Sequence, residues 1–282
     1  MSKGEQMMLL DGHVHIHVGD VEPAVFHRRM SAGGVDGAAI FSLPPASFGT
    51  PPLSARERLD NLFSWGGDAP HIYPVFWIDP LEEDAPAQVA QAIERGVAGF
   101  KVICDRYYPG DERALNIFNI IAITRRPIFF HSGILWDGKP SSRYNRPIEF
   151  EALLTVKGLK FSLAHISWPW CDELIAVYGK FQAALHSHPE LGVEMFIDTT
   201  PGTPPIYRRD ALTKLFTVGY KVARNVFFGT DSDVNGYDGQ RVKERAARDN
   251  EMLREIGLDE ETIDGVNAKN LLRFLGDSPA AV

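Results

Sequence analysis

From Leu9 onward, short apolar runs alternate with longer amphipathic segments nearly to the end of the sequence. Short apolar runs bounded by turn residues predict buried strands, and the longer segments have the spacing of helices. The predicted strands are Leu10–Ile16, Val35–Leu43, Ile72–Ile78, Gly99–Cys104, Pro127–Ser132, Lys160–Ile166, Gly192–Thr199 and Asn225–Asp231. The predicted helices are Glu22–Ser31, Ala55–Gly66, Ala85–Arg95, Glu112–Arg125, Ile148–Lys157, Cys171–His186, Arg209–Val218 and Gln240–Ile256.

This alternation predicts an α/β protein with a (β/α)8 TIM barrel, formed as a single domain over residues 1–282. An open, doubly wound sheet is the alternative, but no glycine-rich nucleotide motif follows the first strand. Glu260–Gly276 predicts one more helix, with Leu271, Leu272 and Leu275 on an apolar face. We expect this extra C-terminal helix to close against the outside of the barrel.

The composition excludes several classes of partner. The formal net charge of −8 argues against general nucleic-acid binding, which needs a basic surface. No apolar run reaches the roughly 18 residues that a membrane span needs, and Met1–Gln6 lacks the pattern of a signal peptide. Cys104 and Cys171 provide no disulfide framework. We therefore predict a cytoplasmic protein without nucleic-acid or membrane partners.

Metal-ligand and acid–base side chains recur at the carboxyl ends of the predicted strands. They are His13, His15, Lys101, His131, His165 and Asp231. The first two are spaced two apart in one strand, so their side chains point to the same side. The carboxyl ends of barrel strands meet at one mouth, where barrel enzymes build their active sites. Burying such groups is costly unless they are paired or bind a metal, so the set predicts a metal site.

This pattern resembles the amidohydrolase superfamily of metal-dependent hydrolases. Those barrels carry His-x-His on strand one, lysine on strand four in some subtypes, histidine on strands five and six, and aspartate on strand eight. The segment Asn267–Leu271 is similar to the Asn-Ala tail of that group, and the resemblance runs from Asp11 to about Leu275. The Gly-Thr-Asp-Ser-Asp end of strand eight looks most like the amidohydrolase 2 branch, which includes aminocarboxymuconate-semialdehyde decarboxylase.

The resemblance implies a divalent metal cofactor. Zinc suits a mixed histidine and carboxylate site, and manganese is the alternative. The implied ligands are His13, His15, His131 and Asp231. We expect one ion rather than two, because the branch that the sequence resembles favours a mononuclear site.

The resemblance also implies three catalytic roles. Asp231 is placed to act as the general base, and His165 to polarise a substrate carbonyl or stabilise an oxyanion. Lys101 fits two roles. It is either carbamylated and bridges two ions, with His131 and His165 holding the second, or it stays cationic and binds a carboxylate or carbonyl of the substrate.

Three further residues are candidates for substrate binding. Arg106 and Arg143 lie on loops after strands four and five, where an arginine can pair with an anion. Ordinary surface charge is the alternative for each. Trp168 follows His165 directly and is the best candidate for a wall of the pocket, because large aromatic side chains dominate small-molecule sites.

These residues predict a metal-dependent hydrolase that attacks an amide, lactone or ester of a small polar or carboxylated substrate. A metal-dependent non-oxidative decarboxylase with the same site is the alternative. A non-catalytic ligand-binding barrel is a different class, disfavoured because retaining every buried polar group would cost stability without a benefit. The sequence is compatible with a homo-oligomer, but does not specify one.

Overall fold

In the computed structural model, a ring of parallel strands is surrounded by helices, and residues 7–48, 52–66 and 70–277 are described. The strands are β1 Leu10–His15, β2 Gly37–Phe41, β3 Ile72–Trp77, β4 Gly99–Val102, β5 Ile128–Phe130, β6 Lys160–Leu163, β7 Glu194–Asp198, β8 Val226–Phe227 and β9 Ser232–Asp233. The helices are α1 Pro23–Ala32, α2 Ala55–Ser64, α3 Ala85–Arg95, α4 Glu112–Ile123, α5 Cys171–Ser187, α6 Pro205–Thr217, α7 Gly239–Glu255, α8 Glu260–Asp264 and α9 Asn270–Leu275. The N-terminal segment Met1–Gln6 lies outside the described residues.

The strands close into a barrel through an eighth strand that is divided in two. The order of the sheet is β8-β7-β6-β5-β4-β3-β2-β1-β9, with all pairs parallel. β8 pairs with β7, and β9 lies only a few residues further along the chain and pairs with β1. The Gly12 N–H donates to the Phe228 carbonyl at 3.0 Å, which adds a direct link between the first and eighth strands. The predicted (β/α)8 barrel is therefore confirmed.

Each of the eight predicted strands ends earlier in the structure, and in two of them the backbone bends at candidate site residues. β6 stops at Leu163, because the chain then enters the left-handed region at His165 (φ 64°) and Ile166 (φ 47°). Regular pairing of β8 stops at Phe227, and Asp231 follows at φ 55°. Non-glycine residues in this region are strained and cluster at functional sites. These bends leave the His165 and Asp231 side chains in the lining of one cavity at the mouth.

The C-terminal helix does not pack where we expected. Instead of covering the outside, α9 closes the end of the barrel interior opposite the ligand residues. The Phe274 ring is fully buried, with its centroid 4.8 Å from that of Phe129 and 4.7 Å from that of Phe196. Phe227 stacks on it at 5.4 Å. The predicted outer apolar face is an inward plug, because these inward-facing rings leave a space that only another large apolar group fills.

One predicted helix has a different form. The segment predicted as Ile148–Lys157 is a 3₁₀ helix over Pro147–Thr155. Its buried residues Pro147, Phe150 and Leu153 recur every third position, which is the repeat of a 3₁₀ helix.

The outer helices bury one face each against the strands. α3 matches its prediction to the residue, because Pro86 lies in the first turn and Gly96 ends the helix at φ 84°. Its buried face includes Val89 and Ala92. Within the described ranges, no helix combines the length and apolar character needed to cross a bilayer.

Candidate metal centre

Three candidate ligand atoms meet at the carboxyl end of the barrel. His13 Nε2 lies 3.2 Å from His15 Nε2 and 3.4 Å from Asp231 Oδ1. His15 Nε2 lies 3.3 Å from the same carboxylate oxygen. Among the described residues, these three side chains form the cluster whose ligand atoms all lie within 4.8 Å of one another. Two come from β1 and the third from the bend between β8 and β9.

The orientation of His13 is set by a residue that the sequence did not reveal. Its Nδ1–H donates to Asp198 Oδ2 at 2.5 Å, and both side chains are almost completely buried. Asp198 ends β7, which the sequence showed only as one more apolar run. A carboxylate on one ring nitrogen of histidine fixes the tautomer and leaves the other nitrogen as a lone-pair donor. The pair therefore presents His13 Nε2 to the cluster.

The donor set fits a zinc-type ion. Zinc binds nitrogen and oxygen ligands at about 2.0–2.2 Å in tetrahedral geometry, so two ligands of one ion lie about 3.3–3.5 Å apart. The three observed separations, from 3.2 to 3.4 Å, agree with that spacing. Burial lowers the pKa of His13 and His15, which keeps both rings neutral and available as ligands.

Asp231 is an anion at neutral pH although its burial disfavours the charged form. Burial raises its pKa, but the interactions of its carboxylate with His15, His13 and His165 outweigh that effect and hold the pKa well below its usual range. Its side chain remains 39% exposed, so it faces both the cluster and the open cavity.

A second buried carboxylate holds the residue that precedes Asp231. Asp11 accepts hydrogen bonds from the Thr230 N–H at 2.9 Å and from its hydroxyl at 2.5 Å, and Tyr237 donates a further bond at 3.2 Å. Burial raises the pKa of Asp11 to about 7. This network ties the first strand to the bend in strand eight, and so positions Asp231 relative to the histidines.

Lys101 adds a cation directly beside the cluster. Its Nζ donates to His13 Nε2 at 3.4 Å and lies 5.0 Å from the centre of the Phe41 ring. The side chain is 1% exposed. Burial lowers its pKa to about 8, while Asp231 and Asp198 act in the opposite direction. A lysine held in this way is close to its own titration range at neutral pH.

His131 and His165 line the same cavity but stand apart from the three-residue cluster. Their ring centroids lie 5.0 Å from each other, and that of His165 lies 5.5 Å from His13. His131 Nε2–H donates to the Ile134 carbonyl at 3.2 Å, which leaves Nδ1 as its lone-pair nitrogen. The predicted fourth ligand is therefore near the other three but outside their 4.8 Å cluster.

His165 is held as a neutral hydrogen-bond donor. Thr200 Oγ1 accepts from the His165 backbone N–H at 3.1 Å and lies 3.0 Å from His165 Nδ1. A hydroxyl that already accepts one bond can give its own hydrogen to Nδ1, which favours a proton on Nε2. Burial lowers the pKa of His165 to about 4, so the ring is neutral at physiological pH.

The ligand residues open into a cavity of about 460 Å³ with aromatic walls. Trp168, which the sequence favoured as a wall, lies in the lining. Further wall residues include Phe48, Trp77, Ile103, Leu135 and Trp136. The volume suits a small molecule, and the mixture of apolar walls with a few convergent polar groups is typical of a ligand pocket.

The two arginines predicted to bind substrate do not line this cavity. Arg106 pairs with Asp79 at 2.5 Å and with Asp105 at 2.9 Å. The Arg143 guanidinium donates to the Tyr144 hydroxyl at 2.7 Å and lies over that ring. Both guanidinium groups are engaged by other side chains, which for Arg106 include Asp79 from the loop after β3, and the position of an arginine after a strand end does not reveal such partners.

The comparisons with known proteins agree with the fold. No family model and no curated protein sequence matches the chain. Among solved structures, it is similar to an amidohydrolase from Burkholderia multivorans with bound zinc, at 13% identity and a TM-score of 0.64, covering 95% of this chain and 99% of that one. It is also similar to dihydroorotase from Campylobacter jejuni, at 13% identity, a TM-score of 0.61 and 97% and 85% coverage. The likeness to amidohydrolase 2 from Bifidobacterium longum subsp. infantis has 11% identity, a TM-score of 0.59 and 97% and 100% coverage. At these identities the likeness shows the fold that this chain shares with amidohydrolases.

Proposed function

We propose that this barrel, with its amidohydrolase fold, is a metal-dependent hydrolase of the amidohydrolase superfamily. It would cleave an amide, lactone or ester bond in a small polar or carboxylated substrate. The observation that carries the proposal is the convergence of His13, His15 and Asp231 at 3.2–3.4 Å beside a buried lysine and a neutral histidine. The zinc-containing amidohydrolase of the same fold supports it.

The residues that would hold one divalent ion are His13, His15 and Asp231, with His131 as the nearby fourth ligand. Zinc suits this donor set, and manganese is the alternative. A bound ion of this kind would lower the pKa of a water molecule to about 7 and polarise a substrate carbonyl. Asp198 supports the set from behind by orienting His13.

Asp231 acts as the general base in this proposal. Its pKa is low and its side chain is 39% exposed to the cavity, so the carboxylate is ionised and accessible. It accepts a proton from the attacking water and returns that proton to the leaving group as the bond breaks.

His165 and Lys101 act on the carbonyl side of the substrate. The neutral His165, with its proton favoured on Nε2, donates a hydrogen bond to the oxygen that gains charge when water attacks. Removing one such donor typically costs about 3–4 kcal/mol of transition-state stabilisation. Lys101 remains cationic, and its ammonium binds a carboxylate or a carbonyl oxygen of the substrate.

The aromatic walls narrow the substrate class further. Trp77, Trp136 and Trp168 lie in the cavity lining around the polar floor. A molecule that fits this arrangement has an apolar or aromatic body and carries its carbonyl or carboxylate at one end. We therefore place acyl derivatives and lactones with such a body first among candidate substrates.

Metal analysis of purified protein tests this proposal before a substrate is known. We expect about one equivalent of zinc or manganese per chain by elemental analysis, and its loss in His13→Ala. Two equivalents, together with a mass increase of bound CO₂ on Lys101, would replace the single-ion site with a two-ion site. Protein that binds no metal even after reconstitution would contradict the proposal.

Activity then separates hydrolysis from decarboxylation, the reaction that uses the same groups. A panel of N-acyl amino acids, lactones and aromatic carboxylic acids is incubated with metal-loaded protein, and acid release is compared with CO₂ release. Hydrolysis predicts acid release that Asp231→Asn abolishes without unfolding the barrel. CO₂ release alone would identify the alternative reaction.

A further inference from the structure

A second cavity lies on the other side of the loop that follows β7. Its volume is about 340 Å³, and it shares Pro201 and Gly202 with the lining of the cavity at the metal centre. The segment directly after β8 contributes Phe228 and Gly229. The remaining wall comes from the loop before α6 and from the facing sides of α6 and α7, including Arg208, Arg245, Arg248, Asp249 and Met252.

The charge of this cavity is opposite to that of the molecule. The chain has a formal net charge of −8, yet three arginines and one aspartate line this space. Asp249 is engaged by Arg208, whose Nε donates at 2.7 Å and whose Nη2 donates a second bond. Arg245 and Arg248 form no ion pair with a carboxylate among the described residues. Two positive charges are therefore left without a matching anion.

Two of the three lining arginines are held in place by backbone carbonyls, whereas Arg248 is exposed and its Nε donates to the Glu244 carbonyl of its own helix at 3.4 Å. Arg245 Nη1 donates to the Thr230 carbonyl at 3.1 Å, and Arg208 Nη2 donates to the Thr199 carbonyl at 2.7 Å. Arg208 Nη1 is buried and has no hydrogen-bond partner in the part of the chain that the structure describes. Burial, followed by the charges of Arg241, Arg248 and Arg208, lowers the pKa of Arg245, while Asp11 acts in the opposite direction. An anion in the cavity would relieve this repulsion.

The position and the donors suit a phosphate group. In TIM barrels the loops after strands seven and eight frequently form a phosphate site. Here the same two loops meet a pair of helices that supply fork-shaped guanidinium donors, which match phosphate oxygens in geometry and charge. We propose that this cavity binds a phosphate group through Arg245 and Arg248, separately from the metal centre.

Inorganic phosphate is the first probe, titrated calorimetrically into the full-length protein at fixed ionic strength. Arg248→Gln removes one lining cation whose side chain makes no contact with the metal centre, and we expect the affinity to fall about tenfold. Arg245→Gln is expected to have at least the same effect. Lys243→Gln is the matched control, because it removes one charge from the same helix but its side chain does not line the cavity.

Three results would overturn the proposal. The first is no measurable binding at about 1 mM phosphate. The second is an unchanged affinity in Arg248→Gln, or an equal loss in Lys243→Gln, which would indicate general electrostatic attraction. The third is loss of phosphate binding in His13→Ala, which would move the phosphate to the metal centre. Competition with glycerol 2-phosphate then identifies the source: displacement supports a phosphorylated small molecule, and its absence supports the free ion.

Discussion

The two ends of the barrel interior contrast in chemistry although the same strands build both. At the carboxyl end, β1 contributes His13 and His15, whereas at the opposite end it contributes Leu10 to an apolar cluster. β7 likewise carries Phe196 in the apolar cluster and Asp198 beside His13. Each strand therefore crosses from a packed layer to a polar layer within a few residues.

This difference shows how the fold accommodates polar groups whose burial lowers its stability. Buried histidines, a lysine and carboxylates lower stability unless they are paired or bind a ligand. The opposite end compensates with a close-packed set of aromatic rings around Phe274. We therefore expect substitutions at the apolar end to change stability, and substitutions at the polar end to change metal binding.

The largest expected effect comes from removing the aromatic plug. Phe274→Ala leaves a cavity among Phe129, Phe196 and Phe227, and should lower the free energy of unfolding by about 3–5 kcal/mol. Urea denaturation measures this change. Metal affinity, measured at a temperature where the variant is folded, should stay within about twofold of the original.

Ile123→Ala is the control for that substitution, because its side chain is 83% exposed at the end of α4. It should change stability by less than about 0.5 kcal/mol. If Phe274→Ala weakened metal binding as strongly as it weakened folding, the two ends of the barrel interior would act as one unit. That result would contradict the expected division between stability at the apolar end and metal binding at the polar end.

The next effect is the stabilisation that we expect a metal to give to the polar end. An ion that binds only the folded chain should add about 2.7 kcal/mol to the free energy of unfolding at a free concentration 100 times its Kd. Thermal unfolding with and without zinc measures the gain. His13→Ala should lose that gain while remaining folded. An equal zinc effect on the variant would mean that the ion binds elsewhere.

The carboxylate behind His13 should have a smaller effect on the same equilibrium. Asp198→Asn keeps the shape of the side chain but removes the charge that orients His13, so metal affinity should fall about 10–100-fold. Competition with a chelator of known affinity measures this loss. The structure offers a matched control in Asp233→Asn, since Asp233 pairs with His17 at the exposed rim. A similar loss in both variants would contradict a specific role for Asp198.

The same contrast explains what the sequence could predict. The barrel was predictable because an apolar strand and an amphipathic helix each leave a periodic signal. The convergence of the candidate ligands at one mouth was predictable because polar side chains interrupt that signal at the strand ends. Asp198 escaped prediction, since a carboxylate at a strand end without a neighbouring ligand resembles an ordinary turn residue. The packing of Phe274 depends on which strands surround it, which a local apolar face cannot specify. The arginine predictions depended on partners, such as Asp79 for Arg106, that only the fold brings together.

The smallest effect on stability, and the sharpest test of the cavity walls, belongs to Trp136. Its side chain is 82% exposed, although it lines the cavity next to the metal centre. Trp136→Ala should therefore change the free energy of unfolding by no more than about 0.5 kcal/mol. If the ring covers the apolar body of a substrate, KM for an acyl substrate with an aromatic body should rise about tenfold, because burial of part of a large ring contributes on the order of 1.5 kcal/mol. The value of kcat should change little, since the ring does not contact the three-residue cluster.

An acetyl derivative of the same compound class is the control, and its KM should be the same in both proteins. A rise in KM for both substrates would instead mean that the loop carrying Trp136 shapes the polar floor of the cavity. The aromatic wall and the three-residue cluster would then not act independently.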